Sequence, residues 1–149
     1  MADAHRDSIL RLGSQHYVTG IVHEWVGAVS PALYLNAMER GEVFFVATGR
    51  IAGAAQVLGF SSDCVIDGTT HGASAYVRAV AARRRVGSRL LALAESFARS
   101  SGATEIRIEA SLGAVDFYKH HGFVETTHGC VTLPSGTRMP CVFMRKELR

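Results

Sequence analysis

Hydrophobic and polar positions change their period several times along this chain, and each change marks an element. From Glu105 to Ala110 the residues alternate: Ile106, Ile108 and Ala110 are apolar, Glu105, Arg107 and Glu109 polar, as a strand with two unlike faces requires. The period then lengthens. Ala114, Phe117 and His121 fall on one side of a short helix that Ser111 can cap and that Gly122 ends. Upstream, Leu90, Leu93, Ala94 and Phe97 form a stripe at helical spacing, widened by Leu91 and Ala98. That stripe predicts a helix from Ser88 to Ser101, stopped by Gly102.

Nearer the start, Ile9, Leu10 and Leu12 give an apolar side to a helix over Asp7 to about Tyr17. Pro31 after Ser30 opens a second helix that runs to Arg40 and stops at Gly41. IVHEWVGAV between them has no firm period. Tyr17, Trp25 and Tyr34 in this region read either as core aromatics or as walls of a substrate cleft. Val43 to Thr48 is a buried strand, Gly49-Arg50 a two-residue turn, and Ile51 to Phe60 its antiparallel partner. The hydrophilic SSDCVIDGTTHG reads as a connection, and Ala73 to Val80 as a third strand. Val124 to Leu133 and Val142 to Leu148 form a last hairpin around Pro134-Ser135-Gly136. The order predicts one domain over residues 1–149 of mixed α/β class, a mostly antiparallel central sheet with helices on both faces.

Composition narrows the function classes. The 149 residues are 48% hydrophobic and 19% charged, enough for one buried core. No apolar run reaches the roughly 18 to 20 residues of a membrane span. MADAHRDSILRL lacks a basic segment followed by an apolar one, so a cytoplasmic protein is expected. Cys64, Cys130 and Cys141 have no CxxC spacing, and the adjacent His120 and His121 cannot share a helix face, so neither a disulfide framework nor a metal site is expected. The net charge of +3 rests on Arg, and its one dense cluster, Arg83 to Arg85, is too narrow for a nucleic-acid surface. At the opening of a helix the same cluster would suit phosphates.

The spelling A-x-x-F-Y-x-x-x-G-F at Ala114 to Phe123 closely resembles motif B of the GNAT superfamily of acetyl-CoA-dependent N-acyltransferases. VGSRLL at Val86 to Leu91 resembles the end of that family's motif A, usually Gln/Arg-x-x-Gly-x-Gly/Ala, whose amides hold the CoA pyrophosphate. The resemblance runs from about His5 to the C-terminus and implies a GNAT-like fold whose usual first strand is missing here. It implies acetyl-CoA as cosubstrate, Tyr118 as the acid that protonates the departing thiolate, and Ser111 near the pantetheine arm. The cofactor contacts it implies are Val80, Arg83, Arg84, Arg85, Val86 and Gly87, followed by Ser88, Arg89, Ser111 and Phe117. Two positions depart from motif A: Ala82 stands for Gln or Arg, and Arg85 for the first Gly. The segment between Val80 and Ala82 is also short, and an Arg at position 85 disfavours positive φ.

For the base, Glu109 lies at the end of the strand where family sheets splay, and burial there would raise its pKa; His23, Glu24 or water are alternatives. The reaction implied is direct acetyl transfer to a primary amine of a small molecule or peptide, without metal, membrane or nucleic acid. The competing reading is a non-catalytic or regulatory acyl-CoA-binding module of the same fold, favoured by Ala82, Arg85 and the short loop. Without its first strand the sheet keeps an open edge, which predicts a homodimer through the C-terminal hairpin or the edge near Val43 to Thr48.

Overall fold

The computed structural model describes residues 1–149, except for the side chains of His71 and Ala73. Three helices come first: α1 (Ala2–Arg11), α2 (Thr19–Gly27) and α3 (Pro31–Glu39). The strands β1 (Val43–Ile51), β2 (Ala54–Ile66) and β3 (Thr69–Val77) follow. Then come α4 (Val86–Ser100), β4 (Glu105–Ser111), α5 (Val115–His120), β5 (Val124–Thr132) and β6 (Arg138–Glu147). Among the described residues no strand precedes α1. The six strands form one sheet in the order β1-β2-β3-β4-β6-β5, antiparallel except where β3 meets β4.

The helix stops lie where glycine was expected. Gly41, Gly102 and Gly122 have φ of 90°, 79° and 86°, the left-handed geometry that closes a helix and that only glycine adopts without cost. Helix starts differ more. The first helix begins at Ala2 instead of Asp7 and ends at Arg11, and IVHEWVGAV forms most of α2, with Val22 and Trp25 buried.

Two hairpins turn elsewhere than expected. β1 continues through Gly49 and Arg50, and the chain reverses at Ala52 (φ 48°) and Gly53 (φ 81°). Gly49 serves packing: a Cβ there would stand 2.5 Å from Leu58 Cδ1. Arg50 supports the true turn by donating from Nη2 to Gly53 O at 2.7 Å. SSDCVIDGTTHG is no loop either, because β2 and β3 remain paired to Ile66 and Thr69 around Asp67 (φ 49°) and Gly68 (φ 73°). Asp-Gly is a two-residue hairpin signal, but Ser61, Asp63 and Thr70, all fully buried, make these strands look like a surface loop in the sequence.

Neighbouring residues of β2 show how the layers form. Phe60 packs with Ile9, Trp25 and Tyr34 under α1, α2 and α3, whereas the Ser61 hydroxyl donates to Leu90 O of α4 at 3.3 Å. On that second face Leu91, Ala98, Tyr118 and Phe123 pack against Ile106, Ile108, Val142 and Met144. Helices therefore cover both faces. β3 and β4 pair only at their beginnings, where Thr69 meets Glu105 and Thr70 meets Ile106. Beyond that point the two strands part.

Candidate functional site

Where β3 and β4 part, a cleft of about 530 Å³ opens between Ala75, Tyr76 and Val77 on one side and Ser111 on the other. Tyr118 closes it from the α5 side, and the end of that helix explains how. Gly122 N–H bonds to Lys119 O at 3.0 Å and Phe123 N–H to Tyr118 O at 3.1 Å, the paired bonds of a Schellman cap. The Phe123 ring, just past the cap, lies 5.4 Å from that of Tyr118. Gly122 and Phe123 thus lock the turn that carries Tyr118, which is the physical content of G-F in the motif. Tyr118 is 4% exposed, and its hydroxyl accepts the Ala75 N–H at 3.3 Å. Burial pushes its pKa up to about 12, against the pull of that N–H, so the phenol holds its proton at neutral pH. Strand periodicity turns the Val77 N–H toward the same opening as that of Ala75.

The chain then passes through a 3₁₀ turn, Ala79–Ala81, tied to α1 because Asp7 Oδ2 accepts the Ala79 N–H at 2.8 Å. Arg83 and Arg85 follow with φ of 58° and 62°. Arg85, expected to resist positive φ, adopts it, and the left-handed geometry that a glycine would supply survives at a cost of about 1–2 kcal/mol. The first α4 amide to bond backward is that of Arg89, to Arg85 O at 3.0 Å. The N–H groups of Val86, Gly87 and Ser88 precede it, and these three residues line the cleft. The helix start packs closely on α5: a Cβ at Gly87 would lie 3.4 Å from the Phe117 ring. This end fits a pyrophosphate, with three leading amides, the helix dipole and the Arg83 and Arg85 side chains at the same wall. Arg84, Arg89 and Val80 do not line the cleft; Val80 is 52% exposed on the 3₁₀ turn.

The opposite end of the cleft is built from α1, α2 and the segment between them. Leu12, Gly13, His16 and Trp25 line it, together with Tyr76 and Gly113. Gly113 lets the His16 ring lie against the backbone, since a Cβ there would displace that ring. Tyr17 clamps this corner: its hydroxyl accepts the Leu112 N–H and donates to Pro140 O, both at 2.8 Å. Trp25 both belongs to the core and forms a wall of the cleft, whereas Tyr34 is core alone. Glu109 is exposed and does not line the cleft, and it stands on the opposite face of β4 from Ile108 and Ala110. Its charge still reaches the wall. The buried Tyr76 hydroxyl is pushed well up mainly by desolvation, and neighbouring tyrosines and Glu109 add to the effect. His23 and Glu24 sit on α2 and do not line the cleft. The sequence reading missed His16 and Gly113, and the only local signal was a glycine in a helix start that did not need one. Among the described residues no three metal-binding side chains gather at one point.

A family model described as an acetyltransferase (GNAT) domain matches residues 13–147. A search of curated protein sequences returns no match. Among solved structures, a GCN5-related N-acetyltransferase from Rhodopseudomonas palustris superposes with a TM-score of 0.82 at 24% identity, over 99% of this chain and 87% of that one. The PaiA N-acetyltransferase from Thermoplasma acidophilum, solved in complex with coenzyme A, gives 0.74 at 18% identity, over 98% and 89%. An aminoglycoside 6′-N-acetyltransferase, also complexed with coenzyme A, gives 0.62 at 14%, over 99% and 91%. At these identities the likeness is one of fold.

Proposed function

Since this chain belongs to the GNAT acetyltransferase family, we propose that it is an N-acetyltransferase that passes acetyl from acetyl-CoA directly to a primary amine of a small molecule or peptide. One observation carries the reading: the Tyr118 hydroxyl, the Ala75 N–H and the leading amides of α4 all face a single cleft. Bound acetyl-CoA supplies an activated thioester. The Val86, Gly87 and Ser88 amides with Arg83 and Arg85 hold its pyrophosphate end, and Ser111 and Phe117 flank the arm. With the Ala75 N–H bonded to the Tyr118 hydroxyl, the Val77 N–H freed by the splay stands ready to polarise a carbonyl, as a preorganised donor does.

In the overall reaction an amide C–N bond replaces the thioester C–S bond. Of the two protons that the ammonium loses, one leaves through a base to solvent. The other replaces the proton that Tyr118 gives to the thiolate sulfur. Tyr118 is suited to that task because burial keeps it protonated at neutral pH. For the base we favour Glu109 acting through water, since it is exposed and its charge reaches the Tyr76 wall. Glu109→Gln should then lower kcat/KM; a variant with the wild-type value would return the role to water.

The deciding assay follows thiol release from acetyl-CoA with a panel of primary amines. Amine-dependent release supports the enzyme. Tight acetyl-CoA binding without release for any amine would favour the non-catalytic acyl-CoA-binding reading, to which the strained Arg85 already points.

A further inference from the structure

The far end of the cleft has a chemistry of its own. Leu12, Trp25 and Tyr76 supply apolar and aromatic wall, and Gln15, His16 and Ser8 supply its polar atoms. No carboxylate is among the residues that line it. The carboxylate of α1 nearest in sequence, Asp7, is already committed to the Ala79 N–H at 2.8 Å and to Arg11 at 3.9 Å. The two lining residues that always carry charge, Arg83 and Arg85, stand at the pyrophosphate end. A polyamine or aminoglycoside would bring several ammonium groups into this space and find no carboxylate among the residues that line it, with only the Glu109 charge beyond the Tyr76 wall to answer one of them. An acceptor with one amine on an aromatic body meets no such penalty, and its ring has the Trp25 and Tyr76 rings to pack against.

We propose that the segment from Leu12 to His16, with Trp25 and Tyr76, forms an acceptor subsite for small aromatic monoamines that rejects polycationic acceptors. The proposal rests on the acetyltransferase reading only for what happens after binding. The cleft volume of about 530 Å³ must also admit the acyl arm, which keeps the acceptor small. Specificity here comes from the lack of a lining carboxylate as much as from the rings.

Trp25 is the only tryptophan in the chain, so its emission reports the subsite directly. With the protein saturated in CoA, 2-phenylethylamine should change that emission saturably, at concentrations at least 10-fold lower than spermidine or kanamycin require. With acetyl-CoA in place of CoA, kcat/KM should follow the same order. Gln15→Glu adds one carboxylate at an exposed lining position and should raise kcat/KM for spermidine by roughly 2- to 5-fold, the worth of one exposed charge pair. Spermidine or kanamycin binding as well as 2-phenylethylamine would overturn the proposal, as would no emission change with any aromatic amine. Saturable binding of 2-phenylethylamine without acetylation would leave the subsite standing and sink the acetyl-transfer reading.

Discussion

At the scale of single residues, Tyr118 and Arg85 show two different bargains between chemistry and stability. Tyr118 is held by a capped helix end, packed against Phe123 and buried until its pKa reaches about 12. Tyr118→Phe keeps the ring and removes only the hydroxyl that accepts the Ala75 N–H. It should lower kcat on the order of 10²-fold with acetyl-CoA affinity and urea stability nearly unchanged. An unchanged kcat with chemistry rate-limiting would end its candidacy as the acid. Arg85 carries strain instead, at φ 62° directly before α4. Glycine takes that conformation freely but gives up more chain entropy on folding, so Arg85→Gly should gain a net of about 0.5–1 kcal/mol in denaturant unfolding. A loss of stability would mean that the Arg85 side chain makes contacts worth more than its strain.

At the scale of elements, the proposed grip on acetyl-CoA rests on the α4 start and the loop before it. Three leading amides remain, but two of the loop's arginines at the cleft wall sit where smaller residues leave the backbone more open. Under that proposal charge bears a larger part of pyrophosphate binding, and exposed charge is screened by salt. Acetyl-CoA affinity measured by calorimetry should weaken markedly from low to high ionic strength. Arg83→Ala should cost about 1–3 kcal/mol of binding, the range for a charged hydrogen bond, while Arg84→Ala, outside the cleft, should cost little. Equal losses at both positions would show that the cluster acts as a diffuse field. The β2–β3 hairpin makes the complementary point about elements: burying Ser61, Asp63 and Thr70 in paired strands requires the pairing to satisfy the backbone, whatever the side chains suggest.

At the scale of the whole molecule, the packing of α1 on the sheet sets an acid limit to stability. His5 lies buried against the Tyr76 ring at 3.8 Å between centroids, with Nδ1 3.0 Å from the Tyr34 hydroxyl. Burial, with help from Arg6, lowers its pKa from 6.5 to about 4. The folded protein therefore resists protonating His5 down to about pH 4, whereas the unfolded chain takes up that proton near 6.5. Between those values the unfolded state binds more protons, so stability present above pH 6.5 falls as the pH drops toward 4, by about 3 kcal/mol in full. His5→Phe keeps a ring in place and should flatten that limb in a series of melts against pH; a slope that persists would assign it to other groups. The sheet as a whole also ends in two strands, β1 and β5, each unpaired along one side, with Val46 and Val124 about half exposed on them. We propose that one of these edges meets its copy in a homodimer. Sedimentation should give a mass that rises with concentration toward twice 16.0 kDa; a constant monomer mass would contradict it.

The sequence by itself determined what depends on near neighbours. Period and glycine placement marked β4, α4 and α5 with their stops at Gly102 and Gly122, and the short spelling around Tyr118 pointed to the family. Each of those signals lives within a turn or a strand length, where side-chain spacing and backbone freedom are enough to decide. Hairpin positions were less legible, because Gly49 is small for the sake of Leu58 and Ala52 tolerates a left-handed φ only within the finished sheet. The far wall of the cleft was not legible at all. His16 against Gly113, Trp25 against Gly13 and Tyr17 against Pro140 join residues distant along the chain, and such contacts form only when the helices have docked on the splayed sheet. Tertiary structure alone therefore decided which of the arginines line the cleft, that Glu109 stands outside it, and that the far end is aromatic and without a lining carboxylate.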